Sequence, residues 1–156
     1  MEKQLNQPDW MQVAEIDIVY KAKVKPSERP VVQCSEDMHR LFKQLWNEEK
    51  IELQEEMKVI FLNRSNKVLG VLNLSSGGIA GTVADPKLII AVAIKSGTSS
   101  IILAHNHPGG LAKPSRADLD LTQKIKYAAG FLDIRLLDHI IMTAEGYYSF
   151  ADEGVL

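Results

Sequence analysis

The segment 100–118, S-I-I-L-A-H-N-H-P-G-G-L-A-K-P-S-R-A-D, limits the possible folds of this chain more than any other stretch. It opens with an unbroken apolar run of the kind a buried strand makes. His105 and His107 end that run, and a Pro/Gly-rich loop leads to Ser115 and Asp118 at the start of a helically spaced segment. A polar cluster held between a buried strand and a helix start is where an α/β domain usually keeps its chemistry. Side chains at i and i+2 of an extended segment point to the same side. His105 and His107 can therefore offer two imidazoles to one ion, and Asp118, in the first turn of the helix, can add an oxygen. Two neutral nitrogens and one carboxylate leave a fourth position for water, the arrangement of catalytic rather than structural zinc. Gly109 and Gly110 permit a sharp return, and Pro108 and Pro114 stiffen the loop. A plainer reading competes for part of this pattern. Ser115 and Asp118 also fit a helix N-cap with an acidic third residue, which needs no metal. Capping does not explain two same-side histidines ending the strand before it.

The remaining chain reads as one domain. With 156 residues, 46% of them hydrophobic, it can bury one core rather than two. Residues 1–12 are polar. Alternation from Glu15, with Ile16, Ile18, Tyr20, Ala22 and Val24 on one side, predicts a half-exposed strand ended by Pro26 and Pro30. Ser35 is then expected to cap a helix with an acidic first turn. Its stripe of Met38, Leu41, Phe42, Leu45 and Trp46 docks on a sheet, with His39 off the stripe and solvated. Residues 55–63 and 67–74 flank a four-residue turn and predict a β-hairpin. The glycines in 75–82 lack the context of a phosphate-binding loop and are read as flexible cleft lining. Asp85 and Pro86 open a second helix as N-cap and first residue, with Leu88, Ile89, Val92 and Ala93 inward and Gly97 closing it. Residues 99–104 form the central strand, a helix runs from Arg116 to a terminal Gly130, and strands follow at 134–143 and 147–150.

The quartet His105, His107, Ser115 and Asp118 matches H-x-H-x7-S-x2-D, the zinc signature of the JAMM (MPN+/JAB) metalloprotease fold. The wider wording I-I-L-A-H-N-H-P-G-G…P-S-R-A-D-L-D-L-T resembles the RadC-like members of that group, over residues 33–150. P-G-G replaces the usual P-S-G after the histidines. The resemblance implies an α/β, single three-layer JAB/MPN-type (cytidine-deaminase-like) domain, a mixed β-sheet flanked by helices. It would occupy residues 31–156 behind an arm of residues 1–30 with one strand. It implies one Zn²⁺ with water as fourth ligand, and a strand glutamate as proton acceptor. Aligned to the family wording E-x-F-x-V-L-x-L-D, that glutamate is Glu55, although Met57 stands for the aromatic and Asn63 for the aspartate. Glu56 and Glu52 are its rivals, and all three also read as solvated charges at a strand start. Ser115 can donate to the oxyanion of a tetrahedral intermediate if capping leaves its hydroxyl free. Asn106, pointing away from the ligands, is expected to brace the loop. Asp138 and His139, in a D-H-I-I wording that the family shares, read as a satisfied pair behind the ligands.

The function so implied is a zinc-dependent hydrolase of amide bonds, a metallopeptidase or isopeptidase, acting on a peptide or protein substrate. A second reading is a DNA repair or recombination accessory protein, the traditional label of RadC-like proteins, some of which occur on mobile elements. Longer members add a helix-hairpin-helix-like segment, and the thirty residues before this domain are too few to hold one. DNA is not favoured as a partner: 18 basic against 20 acidic residues give a net charge of -2, with no basic run. A metal-free binding scaffold ranks last, because every ligand residue is present. The lone Cys34 excludes an intramolecular disulfide and the two-cysteine motif of zinc deaminases. No apolar run reaches membrane-spanning length and the N-terminus has no signal-peptide core, so no membrane partner and a cytoplasmic location are expected.

Overall fold

The computed structural model describes residues 20–76 and 84–156. Among the described residues, three α-helices and five strands follow one another in a mixed α/β order, with the strands side by side as β2-β1-β3-β4-β5. The hairpin β1 (Glu56–Leu62) and β2 (Val68–Ser76) is antiparallel, and β1 also runs antiparallel to β3 (Ser100–Asn106). β3 and β4 (Arg135–Met142) are parallel, and β5 (Tyr147–Ser149) returns antiparallel on β4. Parallel neighbours need a crossover, which α3 (Arg116–Gly130) provides; α2 (Pro86–Lys95) carries the chain from β2 across β1 to β3.

Both crossovers lie on one face of the sheet. Val59, Phe61, Ile101 and Leu103 pack there against Ile89 and Ala93 of α2 and Ile125 and Ala129 of α3. The other face, with Ile60, Leu62, Ile102, Ala104 and Ile140, is covered by Met38, Phe42 and Trp46 from α1 (Ser35–Leu45) and its C-cap. The three layers expected of the domain are present. β3 is buried along its whole length, as a continuous apolar run covered on both faces must be.

Local signals account for most element ends. Asp85 caps α2 by accepting the Lys87 N–H at 2.9 Å, with Pro86 first in the helix. Gly97, at φ 64°, closes it in the left-handed conformation expected of a C-terminal glycine. The hairpin turn is fixed by Asn63, whose side chain accepts the Ser65 and Lys67 N–H groups at 3.0 Å.

Several expectations are corrected. α1 is capped by Cys34 with no side-chain bond, and Ser35 is its first helical residue, its Oγ 3.2 Å from the Tyr147 hydroxyl. The inward stripe is narrower than the periodicity suggests, with Leu45 and Leu88 exposed. Gly130 is the last helical residue of α3, and the left-handed position falls at Asp133, φ 56°. That displacement lets the Ile134 N–H reach back to the Ala129 carbonyl at 3.0 Å and closes the helix three residues later. His39 is half-buried and stacks on Tyr147 at 4.4 Å, and burial lowers its pKa. The strand expected from Glu15 lies mostly outside the described residues, as does the glycine segment beyond Ser76. The described remainder, residues 20–24, is irregular and exposed; the Tyr20 hydroxyl donates to the Leu69 carbonyl at 2.7 Å, which takes the place of a backbone ladder.

Candidate metal centre

The end of β3 presents the two histidines. Antiparallel pairing sets Met57 opposite His105, and the parallel neighbour sets Ile141 beside it. The His107 N–H continues toward β4 by donating to the Met142 carbonyl at 3.0 Å. The backbone therefore stays extended through His107, and both imidazoles emerge on the side of the sheet that carries α3. The chain turns back at once: Gly110, at φ 78°, donates to the His107 carbonyl, a backbone conformation open to glycine at no steric cost.

α3 supplies the third group through a capping box. Ser115 Oγ accepts the Asp118 N–H at 3.2 Å, and Asp118 Oδ2 accepts the Ser115 N–H at 2.6 Å. The other carboxylate oxygen, Oδ1, stands 3.2 Å from His105 Nε2, and Oδ2 is 3.6 Å from His107 Nε2. Capping does not take the carboxylate away from the histidines, because the same group closes the cap and faces both rings. Ligand atoms of His105, His107 and Asp118 all lie within 4.8 Å of one another, a group able to hold a metal ion.

The outer edges of both rings are engaged. His107 Nδ1 lies 2.8 Å from the Leu111 carbonyl, which can only accept, so Nδ1 carries the proton and the neutral ring turns a bare Nε2 inward. His105 Nδ1 meets His139 Nε2 at 2.8 Å. The two inward nitrogens are 2.9 Å apart. Two lone pairs and a carboxylate at these distances repel unless a cation or a proton lies among them, so the donor set fits a cation. The Asp118 carboxyl is held well below the usual carboxylate range. Burial opposes this, but in the metal-free centre a proton on either inward imidazole nitrogen would hydrogen-bond the carboxylate from His105 or His107, and these interactions outweigh burial. The His107 pKa is raised, first by its hydrogen bond to Asp118 and then, against partial burial, by the Leu111 carbonyl and the charges of Asp118 and Glu55.

That last influence separates the three glutamates. The β1–β3 register ends with Met57 opposite His105; continued two residues further, it would bring Glu55 level with His107 and on the same side of the sheet. Glu56 faces the other way and gives its carboxylate to Lys58 Nζ at 2.9 Å. Glu52 is exposed beside a separate cavity of about 320 Å³ on the α1 side. Ser115 only accepts in the cap, and its hydroxyl proton has no partner among the described residues. Asn106 braces the segment before β1 rather than the loop after the histidines: its Nδ2 donates to the Ile51 and Gln54 carbonyls at 2.7 and 2.9 Å, and its Oδ1 accepts the Glu56 N–H at 2.7 Å. Asp138 and His139 do not pair side chain to side chain. As neighbours on a strand they point to opposite faces, Asp138 to Ser149 and Ala151, His139 to His105 and Thr122. Thr122 was not legible as part of the centre, although its place one helical turn after Asp118 is the signal that identifies it.

An α/β domain with two imidazoles and a carboxylate converging at the end of its central strand defines a class of candidate metal proteins. A family model described as the RadC-like JAB domain matches residues 32–155, and the chain belongs to that family. It is 50% identical over 101 residues to a UPF0758 protein of Flavobacterium johnsoniae, covering 65% of this chain and 44% of the relative. It is 51% identical over 104 residues to a UPF0758 protein of Porphyromonas gingivalis, covering 66% and 46%. The chain thus spans just under half the length of these relatives. Among the described residues no helix is long and apolar enough to cross a membrane.

Proposed function

We propose that this domain is a zinc-dependent hydrolase of amide bonds, a metallopeptidase or isopeptidase of the JAMM type. The observation that carries the reading is the convergence of His105 Nε2, His107 Nε2 and the Asp118 carboxylate, with the outer nitrogen of each ring already hydrogen-bonded. A set of two nitrogens and one carboxylate oxygen suits zinc with a coordination position left open. When bound there, zinc supplies Lewis acidity, which makes water a stronger acid near neutral pH and polarises a carbonyl.

The chain's own groups provide the rest. Glu55, opposite His107 at the mouth of β1, accepts the proton of the attacking water and returns it to the leaving amine. Ser115, with its hydroxyl proton free, donates to the oxyanion that develops on the substrate carbonyl, a contribution of roughly 2.7–4 kcal/mol for a preorganised donor. Asn106 holds the segment that carries Glu55. The substrate is a peptide or a protein-linked amide.

The test is metal analysis of protein purified without a histidine tag, beside Asp118→Ala. The expected result is near one zinc per chain, lost in the variant, with peptide or isopeptide hydrolysis that Glu55→Gln abolishes while zinc is retained. Substoichiometric zinc that the substitution does not change overturns the assignment.

A further inference from the structure

His139 is fully buried on β4, beside β3, and its ring stacks on Phe150 at 4.6 Å. It touches no candidate substrate surface, yet both of its nitrogens are engaged. Nε2 lies 2.8 Å from His105 Nδ1, and Nδ1 lies 2.7 Å from Thr122 Oγ1. Thr122 Oγ1 is in turn 2.5 Å from the main-chain carbonyl of Asp118.

Counting protons along this chain gives one answer. A carbonyl has no proton to give and a hydroxyl has one. At 2.5 Å two oxygens need a proton between them, so the threonine proton goes to Asp118. The short contact between Thr122 and His139 then requires a proton from His139 Nδ1. His139 is fully buried and its two nitrogens meet a hydroxyl and an imidazole, with no carboxylate to balance a charge, so the ring is neutral and its Nε2 is a bare acceptor. His105 must then carry its proton on Nδ1, and its Nε2 lone pair faces Asp118 and His107.

We propose that Thr122 and His139 are positioning residues that set the tautomer of His105, so that a hydroxyl two hydrogen bonds behind the ligand keeps Nε2 free to bind the metal. The inference rests on the metal-centre reading above. A carboxylate behind a ligating histidine can only accept and fixes the tautomer unaided. A neutral imidazole in that place accepts or donates with equal ease, so its own orientation of protons must be fixed from further back. Thr122 does this, and because its hydroxyl rests on the backbone of Asp118, it also ties the histidine on β3 to the carboxylate on α3.

Removing the hydroxyl leaves the His139 Nδ1 proton buried without an acceptor. Moving it to Nε2 restores a hydrogen bond by donating to His105 Nδ1, which puts a proton on His105 Nε2, where the metal belongs. The experiment compares wild type, Thr122→Val and Thr122→Ser. Zinc affinity is read by chelator competition, and the tautomers of His105 and His139 are read in metal-free protein by long-range ¹H–¹⁵N spectra. The expected result is zinc affinity about tenfold to a hundredfold weaker in Thr122→Val, the proton moved from Nδ1 to Nε2 in both rings, and wild-type behaviour in Thr122→Ser. Should Thr122→Val fail to fold, Thr122→Ala makes the same comparison. Unchanged tautomers in the folded variant overturn the proposal even if affinity falls, since that loss would come from packing alone. Wild-type protein that binds no zinc overturns the metal centre instead, and the metal-free spectra still decide whether Thr122 sets the ring.

Discussion

Asp138 shows how a buried carboxylate here can serve structure rather than chemistry. Its Oδ1 accepts the His139 and Ala151 N–H groups at 2.7 and 3.0 Å, and its Oδ2 accepts the Ser149 hydroxyl at 2.6 Å, which joins β4 to β5 and the turn after it. Burial raises its pKa despite these three bonds. Asp138→Ala strands buried donors and is expected to cost about 2–4 kcal/mol in urea unfolding, at about 1–3 kcal/mol per unsatisfied group. Asp138→Asn keeps an acceptor and costs less. A folded pKa above the unfolded value means the aspartate's contribution is fully present below the unfolded pKa of 3.8 and is lost as pH rises through the raised value. The deficit of Asp138→Asn relative to wild type is therefore expected to shrink between acidic and neutral pH, and a deficit that grows would contradict that assignment. This role was not readable from the D-H sequence. Adjacency in sequence suggests a pair, whereas the pleat of a strand sends neighbours to opposite faces.

At the scale of elements, the strand that carries the two candidate ligand histidines also holds the segment bearing the proposed proton acceptor. Asn106 sits between the two histidines, but its amide makes three bonds with residues 51–56 on the opposite side. Asn106→Leu removes all three, and Asn106→Asp loses both donors to carbonyls. Amide exchange in residues 51–56 is expected to rise about tenfold, the equivalent of roughly 1.4 kcal/mol of lost local protection, with zinc binding retained. Hydrolysis would fall with it. Unchanged exchange would show that β1 pairing alone holds Glu55. Helix ends show how far local signals reach. Asp85-Pro86 and Ser115-x-x-Asp118 act within one turn and were legible. The end of α3 was not, since Asp133 accepts the left-handed conformation that Gly130 seemed to announce.

At the scale of the whole molecule, the centre joins the end of β3 to the first turn of α3, so an ion bound there clamps two elements of the native state only. A ligand present at 100 times its dissociation constant adds about 2.7 kcal/mol to stability. For a chain of this size that corresponds to a rise in Tm of roughly 5–10 °C. The expected result in calorimetry is a zinc-dependent rise that EDTA reverses and Asp118→Ala abolishes. An equal rise in the variant would place the ion elsewhere.

The sequence by itself determined most of the elements and the three residues that could share a metal ion, because both depend on short-range spacing: an apolar run that must be buried, two histidines on one side of a strand, and an acid in the first turn of a helix; the layered architecture came from the family resemblance. Tertiary structure adds a separate ground for telling the proposed acceptor Glu55 from Glu56, since neighbours at the start of β1 project to opposite sides of the sheet and Glu56 is taken by Lys58. It also decided what stands behind His105. His139 and Thr122 come from β4 and α3, and only packing those elements against β3 brings their hydrogen-bonding groups to that imidazole.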